Sequence, residues 1–431
     1  MKRIFFPLTS SLILLTSLVS CNKGDTGKTV TANNYSASMV LKWNLAATTA
    51  AYQNGGPPPP QESRFYAMIN TAMHDALNNI IPEYDTYALI GTPESDANPD
   101  AAVAQAAHDV ILALIPTASE YLDTLLESSL SQIPNGTAKD KGISLGMASA
   151  KAMLDKRSSD GASTAQVPYM EGTLPDQYRS TPPFDQAPYV NFAIVPDWGK
   201  VTPFGLKSAS QFRPDSPYAI NSAQYTADYN EVKNLGCTSC VSRSADQTQI
   251  GIFWLENVSF SWNRIARSLC IQHQLNGWQT AQLLSLIHMS MADANIASFE
   301  GKYFYNFWRP ITAIRLGDTD GNDSTTGDPS WNLLAAPTPP APDYPSNHAT
   351  NAGAVSEILK QYFNTDQISF STTSTTLTGV TRNFSSLSQA AREVAESRIY
   401  VGYHFRNAIE KGLTEGQQIG DFIFANSLQK K

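Results

Sequence analysis

The stretch Glu300–Arg315, EGKYFYNFWRPITAIR, decides how this chain is read. It closes a proline-free run from Asn276 to Trp308, rich in Ala, Leu, Met and Ile at helical spacing, which predicts a buried helix. Lys302 and Arg309 stand seven residues apart. On one helix they would share a face to within about 20°, separated by roughly 10 Å along the axis. Pro310 disfavours the α conformation at Arg309, so the helix is expected to end there and release the guanidinium into a cavity. Two bases snorkelling from a surface helix would be the ordinary explanation. Their neighbours argue otherwise, because Phe299, Tyr303, Phe304, Tyr305, Phe307 and Trp308 make a poor solvent face. A buried pair of like charges needs an anion between them.

With 431 residues, 42% hydrophobic and 16% charged, the chain has the composition of a globular protein with a large core. Its formal charge of −8 disfavours nucleic acid as a partner, so an anion site must be local and not part of a basic face. At the N-terminus, Lys2 and Arg3 precede the apolar run Ile4–Val19, the pattern of an export signal. The ending Leu18-Val19-Ser20-Cys21 is similar to a bacterial lipobox. Residues 1–20 are therefore read as a lipoprotein signal peptide, Cys21 as the lipidated first residue of the mature chain, and 21–34 as a polar linker. No other segment reaches the ~18 consecutive apolar residues of a membrane span. The mature protein is expected to be membrane-anchored through Cys21, facing the periplasm or cell surface of a Gram-negative bacterium. Export permits disulfides, and Cys237 and Cys240, in a C-x-x-C, are read as a local one; Cys270 reads as a small buried helix residue.

Helical spacing recurs along most of the chain. Helices are predicted over Met39–Tyr52, Glu62–Ile80, Ala101–Leu114, Ser119–Gln132, Lys139–Lys156, Ala245–Glu256, Trp262–His273, Ala349–Tyr362, Leu387–Ile399 and Asn407–Leu428. His74 and His108 fall inside helices and are read as satisfied core histidines. From about Asp160 to Arg243, proline and aromatics are dense and periodicity is weak, which predicts a long irregular segment wrapping the core and walling a cleft. The acidic stretch Gly317–Asp328 lacks the spacing of a calcium loop and reads as a solvated loop. The fold class is all-α: a large helical-bundle domain, with 35–243 giving the N-terminal helices and wrapping segment and 244–431 the part that carries the oxyanion site.

Two further patterns supply what the Lys-x6-Arg-Pro pair requires. Asp343-Tyr344-Pro345-Ser346-Asn347-His348 leads into a helix. Ser346 is in N-cap position, which alone would explain it, yet a helix start also offers free N–H groups to an anion. His348, in the first turn, would stand beside that anion. Ser397-Arg398 and His404 flank a break at Gly402 between two helices.

In that order, Lys-x6-Arg-Pro, Pro-Ser-x-His and Ser-Arg-x5-His resemble the vanadium-dependent haloperoxidases and the type 2 phosphatidic acid phosphatases, and most of all the bacterial chloroperoxidase-like branch. Leu41-Lys42-Trp43-Asn44, Met73-His74-Asp75, Ala107-His108-Asp109, Phe212-Arg213-Pro214 and Phe307-Trp308-Arg309-Pro310 carry the likeness along nearly the whole mature chain. The resemblance implies that Lys302, Arg309 and Arg398 bind the equatorial oxygens of vanadate or phosphate, joined by Ser346 and the backbone N–H of Asn347. It makes His348 the acid–base group and His404 the ligand of vanadium or the nucleophile toward phosphorus. Phe299 would line the pocket, with Tyr403 beside it. Two departures stand out: the family usually has Gly where Asn347 stands, and Asp where Ala408 stands. Asn tolerates left-handed φ, and His404 is expected to take its second hydrogen bond elsewhere, from a backbone carbonyl. The implied activity is oxidation of a halide by hydrogen peroxide to hypohalous acid, with vanadate as cofactor and Lys302 polarising the peroxide. Hydrolysis of a phosphate ester on the same residues is the alternative, and a non-catalytic lipid-anchored oxyanion-binding protein the third.

Overall fold

Asn276 and Gln279 start the central helix by capping each other: Asn276 accepts from the Gln279 N–H, and the Gln279 side chain accepts from the Asn276 N–H, each at 2.9–3.0 Å. The helix they open, Gly277–Tyr305, has every side chain from Leu283 to Phe299 buried. A helix apolar all round belongs in the middle of a protein. The computed structural model describes residues 31–431. The expected signal peptide, Cys21 and the linker up to residue 30 lie outside the described residues.

In chain order the helices are α1 (Ser38–Gln53), α2 (Gln61–Asn78), α3 (Pro99–Leu114), α4 (Ser119–Ser131), α5 (Thr137–Arg157), α6 (Ala223–Leu235), α7 (Ala245–Phe253), α8 (Val258–Gln272), α9 (Gly277–Tyr305), α10 (Pro310–Arg315), α11 (Asn347–Phe363), α12 (Leu387–Tyr400) and α13 (Arg406–Asn426). One antiparallel hairpin, β1 (Phe370–Thr373) with β2 (Thr381–Phe384), is the sheet structure among the described residues. The fold is all-α, as the periodicity implies. Helix α9 packs against α2 on one side and against α11 and α13 on the other. The closest pair is α11 with α13: a Cβ added to Gly416 would lie 2.0 Å from the Thr350 carbonyl, so only glycine admits that approach. No helix among the described residues is long and apolar enough to cross a membrane.

The opening expectation about α9 needs correction. The helix stops at Tyr305, four residues before Arg309, because Asn306 takes the left-handed conformation at φ 53° and returns its N–H to the Lys302 carbonyl. Pro310 does not end α9. It begins α10, in the first-turn position where a missing N–H costs nothing. Arg309 is therefore an extended residue at φ −82°, ψ 154°, and shares no helix face with Lys302.

The segment expected to be irregular throughout contains α6, capped by Ser222, whose hydroxyl accepts from Tyr225 N–H at 3.2 Å. The rest, residues 158–222, wraps the bundle and is pinned to α9 by single polar contacts. Asp293, fully buried in α9, accepts the N–H groups of Phe204, Gly205 and Leu206 at 2.6, 2.8 and 2.8 Å. Arg213 pairs with Glu300, Tyr303 donates to the Ile194 carbonyl at 2.6 Å, and Tyr305 donates to Pro214. The backbone of Tyr178 donates to Asn306 at 2.8 Å, and that of Trp308 to Asp176 at 2.8 Å.

The acidic loop is a second correction, since Asp320 and Asn322 are buried. Asp320 accepts from the Asn322 N–H and the Thr325 hydroxyl, both at 2.8 Å, while Asn322 donates to the Ile220 carbonyl. The loop is a folded brace against α6. His74 and His108 are core residues with acid partners, Asp75 at 3.2 Å for the first, Asp109 at 2.7 Å and Asp123 at 3.0 Å for the second. Cys237 and Cys240 are joined by a disulfide, and Cys270 is free and buried in α8.

Candidate oxyanion site

Lys302, in the last turn of α9, sends its ammonium across to the irregular stretch 339–345. There Nζ donates to the carbonyls of Pro342 at 2.8 Å and Asp343 at 3.0 Å. The stretch lies close because the neighbouring residue is Gly301, where a Cβ would stand 2.8 Å from the ring of Pro345. Arg309 reaches the same stretch from the opposite direction. Its Nε donates to the Ala341 carbonyl at 2.7 Å and its Nη1 to the Tyr403 carbonyl at 3.0 Å. Convergence of the two cations thus comes from a shared stretch of backbone, not from helical periodicity.

Arg398 stands in the last turn of α12, where it donates to Ser397 Oγ at 2.9 Å and to the Trp254 carbonyl. Gly402, at φ 81°, turns the chain from α12 toward α13 and delivers His404 to Arg309. Nη1 of Arg309 lies 3.1 Å from Nε2 and 3.4 Å from Nδ1 of that imidazole. On the other face of His404, Nδ1 is 2.8 Å from Oδ1 of Asp343, although the N–H is not aligned on the oxygen. Ser346 and His348 complete the group at the start of α11.

Burial sets the electrostatics. Lys302, Arg309 and Arg398 are 2%, 2% and 1% exposed, so water screens none of them. Burial, and then the charge of Arg309, hold the Lys302 amine well below the usual lysine range. Burial lowers Arg309 and takes Arg398 down to about 10. Both imidazoles are held well below their usual range, first by burial and then by the cations: Arg398 and Lys302 for His348, Arg309 and Lys302 for His404. Burial pushes Asp343 up to about 7 against the pull of Arg309 and Lys302. Three cations, two neutral imidazoles and one acid form a cluster with an excess of positive charge and no solvent to offset it.

Three groups in this cluster are enclosed without an aligned hydrogen-bond partner among the described residues: Ser346 Oγ, His348 Nε2 and the carboxylate of Asp343. Buried polar atoms are nearly always hydrogen-bonded, and Ser346 does not spend its hydroxyl on capping α11. The donor set (two guanidiniums, an ammonium, a hydroxyl and a helix N-terminus) suits the oxygens of a multiply charged oxyanion. Asn347 does not adopt the left-handed conformation anticipated for it. It is the first residue of α11, and its amide donates to Asn295 at 2.7 Å and Ser298 at 3.0 Å of α9. Its backbone N–H is one of those that a helix start leaves without an intrahelical acceptor.

Phe299 is placed elsewhere. Its ring packs with Trp198, Val195, Val201 and Ile296 in a small apolar cluster under the wrapping segment, as a core residue does. Tyr403 gives its carbonyl to Arg309, with its ring centroid 5.7 Å from the Arg398 guanidinium. The backbone carbonyl expected beside His404 Nδ1 is instead the carboxylate of Asp343. It was within the quoted motif but carried no assigned role, and its signal was an acid inside a stretch, Ala341–Ser346, that is buried throughout.

The fold and this cluster define an all-α protein with buried cations and imidazoles gathered near the ends of its central helices. Residues 282–430, which hold Lys302, Arg309, Ser346, His348, Arg398 and His404, match the VCPO second helical-bundle domain. Vanadium chloroperoxidase of Curvularia inaequalis is 24% identical over 407 residues, covering 77% of this chain and 66% of that protein. The chain thus spans just under two-thirds of that relative's length. Among solved structures, a bacterial vanadium-dependent iodoperoxidase superposes with a TM-score of 0.79 at 26% identity, over 92% of this chain and 98% of the other. A holo-type bacterial vanadium-dependent chloroperoxidase gives 0.65 at 17% identity, over 84% and 91%, a likeness of fold. By sequence and by fold, the chain is similar to vanadium haloperoxidases.

Proposed function

We propose that this protein is a vanadate-dependent haloperoxidase, using hydrogen peroxide to oxidise a halide to hypohalous acid. The observation that carries the reading is the buried cluster of Lys302, Arg309 and Arg398 around the unpartnered Ser346 Oγ and His348 Nε2. Its relatives named above support a reaction of the peroxidase type. In this reading, Lys302, Arg309 and Arg398 would neutralise the oxygens of vanadate, and Ser346 Oγ with the Asn347 N–H would donate to them. His404 would hold the vanadium through its unprotonated ring nitrogen. Bound vanadate would supply a Lewis acid that activates peroxide toward the halide.

The residues' own work follows from their surroundings. His348, held neutral by burial and by Arg398, can take a proton at Nε2 from an incoming peroxide and return it to a departing oxygen. Lys302 draws electron density from an oxygen beside it, and its carbonyl partners Pro342 and Asp343 fix where it stands. Burial of all three cations excludes water and strengthens their effect on charge developing at the site. The chain is further proposed to be exported and anchored through lipidated Cys21; replacing Cys21 by Ser should move the protein from the membrane to the soluble fraction.

Purified protein should oxidise chloride, bromide or iodide with peroxide only after addition of vanadate. Without vanadate, it should leave a chromogenic phosphate ester largely intact. Ester hydrolysis by the vanadate-free protein, with no halide oxidation at saturating vanadate, would make it a phosphatase that uses His404 as nucleophile. Binding of vanadate without either reaction would make it a non-catalytic oxyanion-binding protein.

A further inference from the structure

The position four residues after His404 is Ala408, so α13 offers the imidazole no acid there. We propose that Asp343 is the positioning residue for His404: its carboxylate accepts the Nδ1 proton and fixes the tautomer that leaves Nε2 free for the oxyanion. The two atoms are 2.8 Å apart, with Asp343 fully buried and His404 nearly so. The other group near Nδ1 is Arg309 Nη1 at 3.4 Å, a donor only, so Asp343 is the acceptor within reach.

The backbone of Asp343 is itself locked by the site. Its N–H donates to the Phe307 carbonyl at 2.8 Å, and its own carbonyl accepts from Lys302 at 3.0 Å. One residue therefore links the ammonium on one side of the cluster to the imidazole on the other. The side chain also borders a void of about 10 Å³ that Ala408 lines too, together with Phe405, Asn407, Tyr225 and Asp228. A carboxylate placed at 408 would enter the same space from α13. In this chain the acid reaches His404 from the stretch before α11. The inference takes its ligand from the proposed reading of the cluster, but the tautomer of His404 can be measured without any ligand.

The test uses the full mature chain with ¹⁵N-labelled histidines, of which the sequence has six, and His404 assigned by its loss in His404→Gln. The variants are Asp343→Asn, which keeps the shape of the side chain, Asp343→Ala, and Asp343→Ala combined with Ala408→Asp. In the wild type, His404 should carry its proton on Nδ1. Asp343→Asn should weaken the preference for Nδ1–H, because its neutral amide oxygen accepts less strongly than a carboxylate and its nitrogen donates, and should weaken binding of vanadate and of inorganic phosphate about 10–100-fold. Asp343→Ala should do likewise, with part of the affinity and the Nδ1–H signal returning in the double variant. A purely structural Asp343 would lower the melting temperature while leaving the tautomer alone. An unchanged tautomer and unchanged affinity in both single variants would overturn the proposal. Failure of the wild type to bind either anion would instead sink the functional reading, and the tautomer would still decide the role of Asp343.

Discussion

The bundle and the segment wrapped over it meet on the same helix, α9, and are held to it by different physics. Where α9, α11 and α13 touch, close packing of apolar side chains and of backbone against glycine, as at Gly416 on Thr350, surrounds a few buried polar pairs such as Asn347 with Asn295 and Ser298. The contact is spread over many small interactions, and removing one leaves most of it in place. Across residues 158–222, apart from the small apolar cluster of Val195, Trp198 and Val201 on Ile296 and Phe299, the attachment is a short series of discrete polar contacts: three N–H groups on Asp293, Arg213 on Glu300, two tyrosine hydroxyls on carbonyls. Each is buried or half-buried, so losing one strands its partner. The groups of the proposed cage all come from the bundle side, from helix ends and the stretch before α11, while the wrap closes over them. Chemistry should therefore be sensitive to the bundle, and local stability to the wrap.

The largest effect expected from breaking this division is on the bundle side. His404→Ala should lose most catalytic activity, with the three cations still holding a loosely bound oxyanion. His348→Ala should keep appreciable vanadate affinity while peroxide activation slows by ~10²–10⁴. Vanadate titration followed by halide oxidation across pH separates the two. Equal loss of affinity in both, with wild-type turnover remaining in His348→Ala, would mean that the two roles are assigned wrongly.

On the wrap side, Asp293→Ala removes one acceptor from three buried N–H groups. The cost should be roughly 3 kcal/mol, and limited proteolysis should cut within 158–222 before the bundle opens. Loss of stability with no new cleavage there would show that the wrap and bundle unfold as one unit, and the comparison would fail.

A smaller effect sharpens the account of the bundle interior. Glu415 of α13, buried and within 3.2 Å of the Thr350 hydroxyl, is pushed up to about 8 by burial. The native state thus keeps a proton that the unfolded chain releases near its ordinary value of 4.5. Between those values the unfolded state binds fewer protons, so stability falls as pH rises and levels off above about 8. Glu415→Gln removes this titration, and its melting temperature should fall less than the wild type's from about pH 5 to about pH 8. Parallel curves would mean that Glu415 is ionised in the fold.

The same contrast explains what could be read in the sequence. Helices of the bundle carry apolar residues at helical spacing, so α1 to α5, α7 to α9 and α11 to α13 were legible to within a few residues. The wrap was legible only as a dense run of prolines and aromatics, which hid α6, and the Ser- and Thr-rich hairpin β1–β2 had strands of four residues, too short for a periodic signal. In the site, the residue types and their order pointed to Lys302, Arg309, Arg398 and the two histidines. How they meet was not legible. The left-handed turn at Asn306 separates Lys302 from Arg309 in secondary structure, and carbonyls of residues 341–343 bring them back together. Asp343 escaped notice because its role depends on a contact with His404, sixty-one residues on, that no spacing encodes.

The central claim is that three buried cations await an oxyanion at this place, and vanadate binding to the purified protein tests it most directly. Calorimetric titration should give one site per chain, phosphate should compete for it, and Arg309→Ala and Lys302→Met should each weaken it by at least about tenfold, more than 1.4 kcal/mol. Absence of saturable binding, or a site that neither substitution weakens, would contradict the account.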